Sequence, residues 1–114
     1  MTHVRRAAGW IRSRLTEPLR IKEIADAAHM SAASLHRHFK SATGMSPMQF
    51  QKRLRLYEAR RLLVAGHSTA SAAADAVGHT SATQFNREYR RAFGTSPGRD
   101  AARLRRVSEP ADSP

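Results

Sequence analysis

The sequence predicts an all-α protein of about seven helices, built as two helix-turn-helix units joined by a long linker helix. Three observations carry this prediction. Apolar residues recur at helical spacing almost throughout, and no segment alternates apolar and polar residues for long enough to make a strand. Helix punctuation is regular, with Ser before a helix, Pro at its first position and Gly after its end. A 17-residue pattern also occurs twice, as SAASLHRHFKSATGMSP from Ser31 and SATQFNREYRRAFGTSP from Ser81.

The elements follow in order. Val4, Ala7, Ala8, Ile11 and Leu15 mark a first helix, which Pro18 stops. Ile21, Ile24, Ala25 and Ala28 fall at i, i+3, i+4 and i+7, a second helix of about two turns. Ser31 caps a third, with Ala32 to Ala42 as its body and Gly44 beyond its end. Ser46 caps a fourth, opened by Pro47, that runs to about Val64 and is ended by Gly66. At about 1.5 Å per residue the fourth helix spans about 27 Å. The pattern then repeats: a short helix from Ser71 to Val77, a turn at Gly78, a helix from Ser81 to Phe93, and Gly94. Pro97 opens a last helix that decays after Leu104, leaving RRVSEPADSP without periodicity and expected to be disordered. The organisation expected is a first subdomain over 1–46, a linker helix over 47–65, a second subdomain over 66–105 and a tail over 106–114. Within the repeat Ala25-Asp26-Ala27 matches Ala74-Asp75-Ala76, and from Ser31 and Ser81 onward every match lies 50 residues apart.

Composition narrows the function. Lys and Arg number 20 against 9 Asp and Glu, a formal net charge of +11. That imbalance points to a polyanionic partner, of which nucleic acid is the commonest. With no cysteine, disulfides, thiolate zinc sites and a cysteine nucleophile are excluded. No apolar run approaches the ~20 residues needed to span a bilayer, and MTHVRRAAGW lacks the apolar core of a signal peptide, so a cytoplasmic setting is expected. No Gly-x-Ser-x-Gly elbow, phosphate loop or paired carboxylates point to an enzyme or a cofactor. His36 and His38 diverge on their helix, and His29, His67 and His79 have no carboxylate at a useful spacing, so no metal site is expected.

A helical wheel divides each repeated helix. Around Leu35, the residues Ala32, His38, Phe39 and Ala42 fall on the core side, with Ala33, Arg37 and Lys40 opposite and His36 at the edge. In the second copy Ala82, Phe85, Tyr89 and Ala92 fall inward. Thr83, Arg87 and Arg90 fall outward, with Asn86 at the edge and Gln84 and Arg91 flanking. Such faces suit a DNA major groove, where Arg can bond O6 and N7 of guanine, and Asn or Gln can pair with adenine. Lys40 and Arg90, one turn later, suit phosphate contacts that fix register. On the long helix Phe50, Leu54 and Tyr57 form one apolar stripe, and Leu56, Ala59, Leu62 and Leu63 a roughly opposite one. A helix with two apolar sides packs against two bodies. Its length suits recognition helices placed in consecutive major grooves about 34 Å apart.

These residues resemble the DNA-binding domain of AraC/XylS-type bacterial transcription regulators. The similarity covers about residues 4 to 104. It is carried by EPLRIKEIADAAHMSAASLHRHFKSATGMSPMQF, by RLYEARRLL and by ADAVGHTSATQFNREYRRAFGTSP. The resemblance implies a monomeric domain bound to one side of an asymmetric double-stranded site. Base reading would fall to Ala33, His36 and Arg37 in the first unit and to Thr83, Gln84, Asn86 and Arg87 in the second. It also implies activation of transcription through contact with RNA polymerase. An effector-sensing domain upstream is common in such regulators, so the chain is expected to be either a stand-alone member or, as the closer resemblance of its first half to longer members favours, a piece of a longer protein that could dimerise through that domain. Ala70 and Ala73 stand where such domains usually have larger aliphatics, so the second unit is expected to be the looser one. His79 stands where an aromatic is common, and His29 where the turn usually has Gly. Asp100 replaces a usual Tyr, which leaves the packing of the last helix open.

Two further function classes account for part of the sequence. A nonspecific nucleic-acid packaging protein would explain the charge but not two matched faces. A protein-interaction module would use Thr83 to Arg90 against an acidic partner.

Overall fold

The computed structural model describes residues 2–66 and 69–108, and among them it contains seven helices and no strand. They are α1 (Thr2–Ser13), α2 (Ile21–Ala27), α3 (Ala32–Thr43), α4 (Pro47–Val64), α5 (Ala70–Ala76), α6 (Ala82–Phe93) and α7 (Pro97–Ser108). The chain divides into two compact units between Arg55 and Leu56, inside α4.

The first unit closes on Ile11 of α1, Ile24 of α2, and Leu35 and Phe39 of α3, with Phe50 and Leu54 of α4 packed against them. Phe39 and Phe50 meet edge to face with ring centroids 5.1 Å apart. The loop after α1 exposes carbonyls that α4 satisfies: Gln51 Nε2 donates to the Glu17 carbonyl at 2.8 Å and Arg55 Nε to that of Leu15 at 2.7 Å. Buried Gln51 therefore has a structural reason to be polar.

The second unit closes on Leu56, Ala59 and Leu63 of α4, Ala73 and Ala74 of α5, Phe85 and Tyr89 of α6, and Ala101 of α7. Its helices carry small residues where α5 packs, and a chain of ring contacts fills the remaining space. Tyr57 meets Phe93 at 5.6 Å, Phe93 meets Tyr89 at 4.5 Å, Tyr89 meets Phe85 at 5.8 Å, and Phe85 meets His79 at 5.4 Å. His79 thus occupies an aromatic's place by packing as one.

Asp100 lies at the centre of this unit and is fully buried. Its carboxylate accepts from Tyr89 Oη at 2.6 Å, Arg60 Nε at 2.8 Å and an Arg103 guanidinium nitrogen at 3.1 Å. Burial pushes the Asp100 carboxyl up, but the hydrogen bonds from Arg60, Tyr89 and Arg103 outweigh it and hold it below the usual carboxylate range. Burial, followed by the bond to Asp100, raises the Tyr89 hydroxyl. An Asp at the position is therefore compensated on three sides, which settles how α7 packs.

The two helix-turn-helix turns are built alike. After α2, Met30 N–H donates to the Ala25 carbonyl at 2.9 Å and His29 N–H to that of Asp26 at 3.1 Å. After α5, His79 N–H donates to the Ala74 carbonyl at 2.9 Å and Gly78 N–H to that of Asp75 at 3.0 Å. Both sets are the paired bonds of a Schellman helix end, made by the residues that match in the repeat. The motif needs one residue at positive φ. Gly78 supplies it at 87°, and His29 adopts 59°, the only non-glycine residue to do so among those described. The second turn is one residue longer, which is why the repeat spacing changes there.

Several expectations change. The wheel put Ala32, His38, Ala42 and Ala82 inside, but all four are exposed and Ala92 is half-buried, because only Leu35, Phe39, Phe85 and Tyr89 reach far enough inward. Tyr57 packs on Phe93 within the second unit and remains half exposed. Thr69, whose hydroxyl accepts from the Ala72 N–H at 3.1 Å, starts α5 one residue early. α7 continues to Ser108, so the first residues of the expected tail are helical and 109–114 lie outside the described residues, as does His67. Leu15 lies just past the end of α1.

Asp100→Asn should lower unfolding free energy by about 3 kcal/mol at pH 7, since it removes the charge that Arg60 and Tyr89 face. The depressed carboxyl contributes fully above its unfolded value of about 4, and that contribution is lost as pH falls through the lower folded value. Thermal melts of the two proteins from pH 7 to pH 2 should therefore converge on the acid side. His29→Val should cost about 1–2 kcal/mol, while His29→Gly stays within about 1 kcal/mol of the parent, measured by urea unfolding.

Candidate nucleic-acid interface

The residues expected to read DNA lie on α3 and α6, and the same local devices set both helices. Ser31 Oγ accepts from the Ser34 N–H at 3.1 Å, and Ser81 Oγ from the Gln84 N–H at 3.2 Å. Gly44 and Gly94 end them with matching φ of 76° and 79°, their N–H groups returning to the Lys40 and Arg90 carbonyls. Leu35 with Phe39, and Phe85 with Tyr89, bury one stripe of each helix.

The opposite stripe is open in both units. Ala33, His36, Arg37 and Lys40 are all exposed on α3. His36 Nδ1 lies 3.0 Å from the Ala32 carbonyl one turn back, and an Arg37 guanidinium nitrogen lies 3.5 Å from Ser34 Oγ. These are local, solvent-accessible contacts that a ligand can replace. No acidic residue occurs on α3.

On α6, Thr83, Gln84, Asn86, Arg87 and Arg90 are likewise exposed. Thr83, Asn86, Arg87 and Arg90 line one open groove, whose other wall is the start of α7 at Ser96, Pro97 and Gly98. At that start Pro97 has no N–H, and the Arg99 and Asp100 N–H groups donate to Ser96, so the wall offers the Gly98 N–H to a phosphate beside the two guanidinium groups. Sequence reasoning did not bring Ser96 to Gly98 to this face, although a Ser-Pro pair opening a helix was the available signal. Gln84 lies outside that set. Its Nε2 donates to Glu88 Oε1 at 3.4 Å. Glu88 Oε2 in turn lies 3.3 Å from His79 Nε2, so His79 does have a carboxylate beside it, brought there by the fold and invisible to sequence spacing.

Among the described residues no group of three or more His, Cys, Asp or Glu is placed to hold a metal ion. None of the described helices is long and apolar enough to cross a membrane.

Comparison with known proteins agrees with this architecture. The family profile described as a helix-turn-helix domain matches residues 24–103. The HTH-type transcriptional activator RhaS of Pectobacterium carotovorum is 34% identical over 89 residues, covering 78% of this chain and 32% of the relative. The uncharacterized HTH-type transcriptional regulator YobQ of Bacillus subtilis is 32% identical over 96 residues, covering 84% of this chain and 40% of that protein. The chain thus spans about a third of the length of the curated relatives it matches. Among solved structures, a probable AraC family transcriptional regulator from Rhodopseudomonas palustris aligns with a TM-score of 0.82 and 32% identity, over 92% of this chain and 99% of the other. The DNA-binding domain of AdpA, solved in complex with a target DNA, aligns with a TM-score of 0.81 and 27% identity, over 95% and 97%. With its paired, matched helix-turn-helix units and these relatives, the chain belongs to the AraC/XylS-type family of helix-turn-helix DNA-binding domains.

Proposed function

We propose that this chain binds double-stranded DNA in a sequence-specific manner and regulates transcription, with α3 and α6 lying in consecutive major grooves. The observation that carries this reading is the repetition itself. Two helices share the same turn, caps and buried stripe, and each turns a set of exposed polar and cationic side chains outward. Ala33, His36 and Arg37 read bases in the first unit, and Thr83, Gln84, Asn86 and Arg87 in the second. Lys40 and Arg90 hold phosphates, Arg90 together with the start of α7. A DNA complex of a 27% identical domain supports duplex DNA as the partner.

The curated relatives named as activators favour activation, and with it a contact to RNA polymerase. The chain acts as a monomer in a bacterial cytoplasm, and any longer parent dimerises through a domain outside this sequence. It is a regulator and not an enzyme. Charge-driven packaging would require neither the duplicated turn nor the open Thr83–Arg87 groove, and a protein-interaction role would not require two copies of the face.

The test is selection of bound sequences from a random duplex pool at near-physiological salt. Arg37→Ala and Arg87→Ala should each relax one guanine position, by about 1–3 kcal/mol, and in different patches. Lys40→Ala should weaken all sequences about equally and reduce the salt slope by about 1. An absence of enriched sequences, with binding that follows salt alone, would favour packaging. Retained capture of a protein partner by the double Arg variant would favour the interaction module.

A further inference from the structure

α6 carries a single acidic residue on a helix expected to face a polyanion. Glu88 is mostly buried, with 17% of its side chain exposed, and so is His79, with 10%. One carboxylate oxygen lies 3.3 Å from His79 Nε2, a close polar contact not aligned as a hydrogen bond, and the other accepts from Gln84 Nε2 at 3.4 Å. His79 is itself fixed by its edge-to-face packing on Phe85 in the core. A line of contacts therefore runs from the core through the turn and Glu88 to an exposed amide one turn back on the reading face.

We infer that Glu88, braced by His79, is a positioning residue that sets the base preference of Gln84; the inference rests on the DNA-reading role proposed above. Gln84 Nε2 is the end that donates to Glu88, so the amide nitrogen faces the carboxyl group and the carbonyl oxygen turns away. One N–H is held by Glu88, and the oxygen and the second N–H remain. Those two groups are the pair that an amide uses to bond N6 and N7 of adenine. A free glutamine has a broad, roughly two-fold terminal torsion and can present either end. Glu88 removes that ambiguity before DNA arrives. Its inward placement also accounts for an acid on this helix.

The experiment is the random-duplex selection repeated with Gln84→Ala, Glu88→Gln and the double variant, each checked for folding by its thermal melt. Glu88→Gln keeps size but replaces the carboxylate with an amide that can face Gln84 with either end. The parent should enrich adenine at one position of the second patch, and Gln84→Ala should lose that preference by about fivefold or more. Glu88→Gln should lose about threefold or more at the same position, keep the guanine positions assigned to Arg37 and Arg87, and add nothing further to Gln84→Ala. If Glu88→Gln is unstable, Glu88→Met, similar in length and with only a weakly accepting sulfur in place of the carboxylate, should show the same selective loss. A Glu88 profile identical to the parent, while Gln84→Ala differs, would overturn the inference and leave the DNA-reading role standing. Uniform weakening at every position would also overturn it, by showing that Glu88 only stabilises the fold. A parent protein that enriches no sequence would end both readings.

Discussion

The second unit is organised around one buried carboxylate. Asp100 of α7 receives Tyr89 of α6 and Arg60 of α4, so a single charge ties three helices together. Arg60 also lies over the Phe93 ring, 4.2 Å from its centroid, which connects the charged network to the aromatic chain beside it. Tyr89 sits on the inward face of the same helix that turns Arg87 and Arg90 outward. The orientation of that face is consequently set by a hydrogen bond of 2.6 Å on its hidden side. The first unit reaches the same end without a buried charge, through Leu35, Phe39 and Phe50. Two copies of one architecture thus hold their exposed helices by different chemistry.

The turn geometry is more strictly preserved than the core. The paired bonds to Ala25 and Asp26, and to Ala74 and Asp75, recur within about 0.1 Å. They survive both an added residue and a histidine in place of glycine. A turn of this kind determines the angle at which the second helix leaves the first, and a recognition helix tolerates little error in that angle. Core side chains can be exchanged if the space is refilled, and the second core combines small Ala73 and Ala74 with the ring contacts of His79, Phe85, Tyr89 and Phe93.

Much of this was legible in the sequence because it depends on local rules. Ser31, Ser46 and Ser81 cap helices, Pro47 and Pro97 open them, and Gly44 and Gly94 end them, each for reasons confined to a few residues. The positive φ of His29 was likewise foreseeable, because it stands where such turns usually have Gly and His tolerates that region better than most residues. The faces were read less well. A wheel assigns direction but not depth, so Ala32, His38, Ala42 and Ala82 were placed inside although the partner helix does not reach them. What sequence spacing could not supply was contact across the chain. Asp100 and Arg60 are 40 residues apart, and nothing at either position announces the pair. Glu88 beside His79 is hidden from sequence spacing for a similar reason, since the turn that joins α5 to α6 folds one onto the other.

In the proposed complex two helices enter two major grooves, each with an arginine near the middle of its outward face. Methylation protection of guanine N7 on the selected duplex reads this most directly, because N7 lies in the major groove. Two protected patches about one helical turn apart are expected, with one guanine losing protection in the first on Arg37→Ala and one in the second on Arg87→Ala. A single patch, or protection unchanged by either substitution, would contradict it.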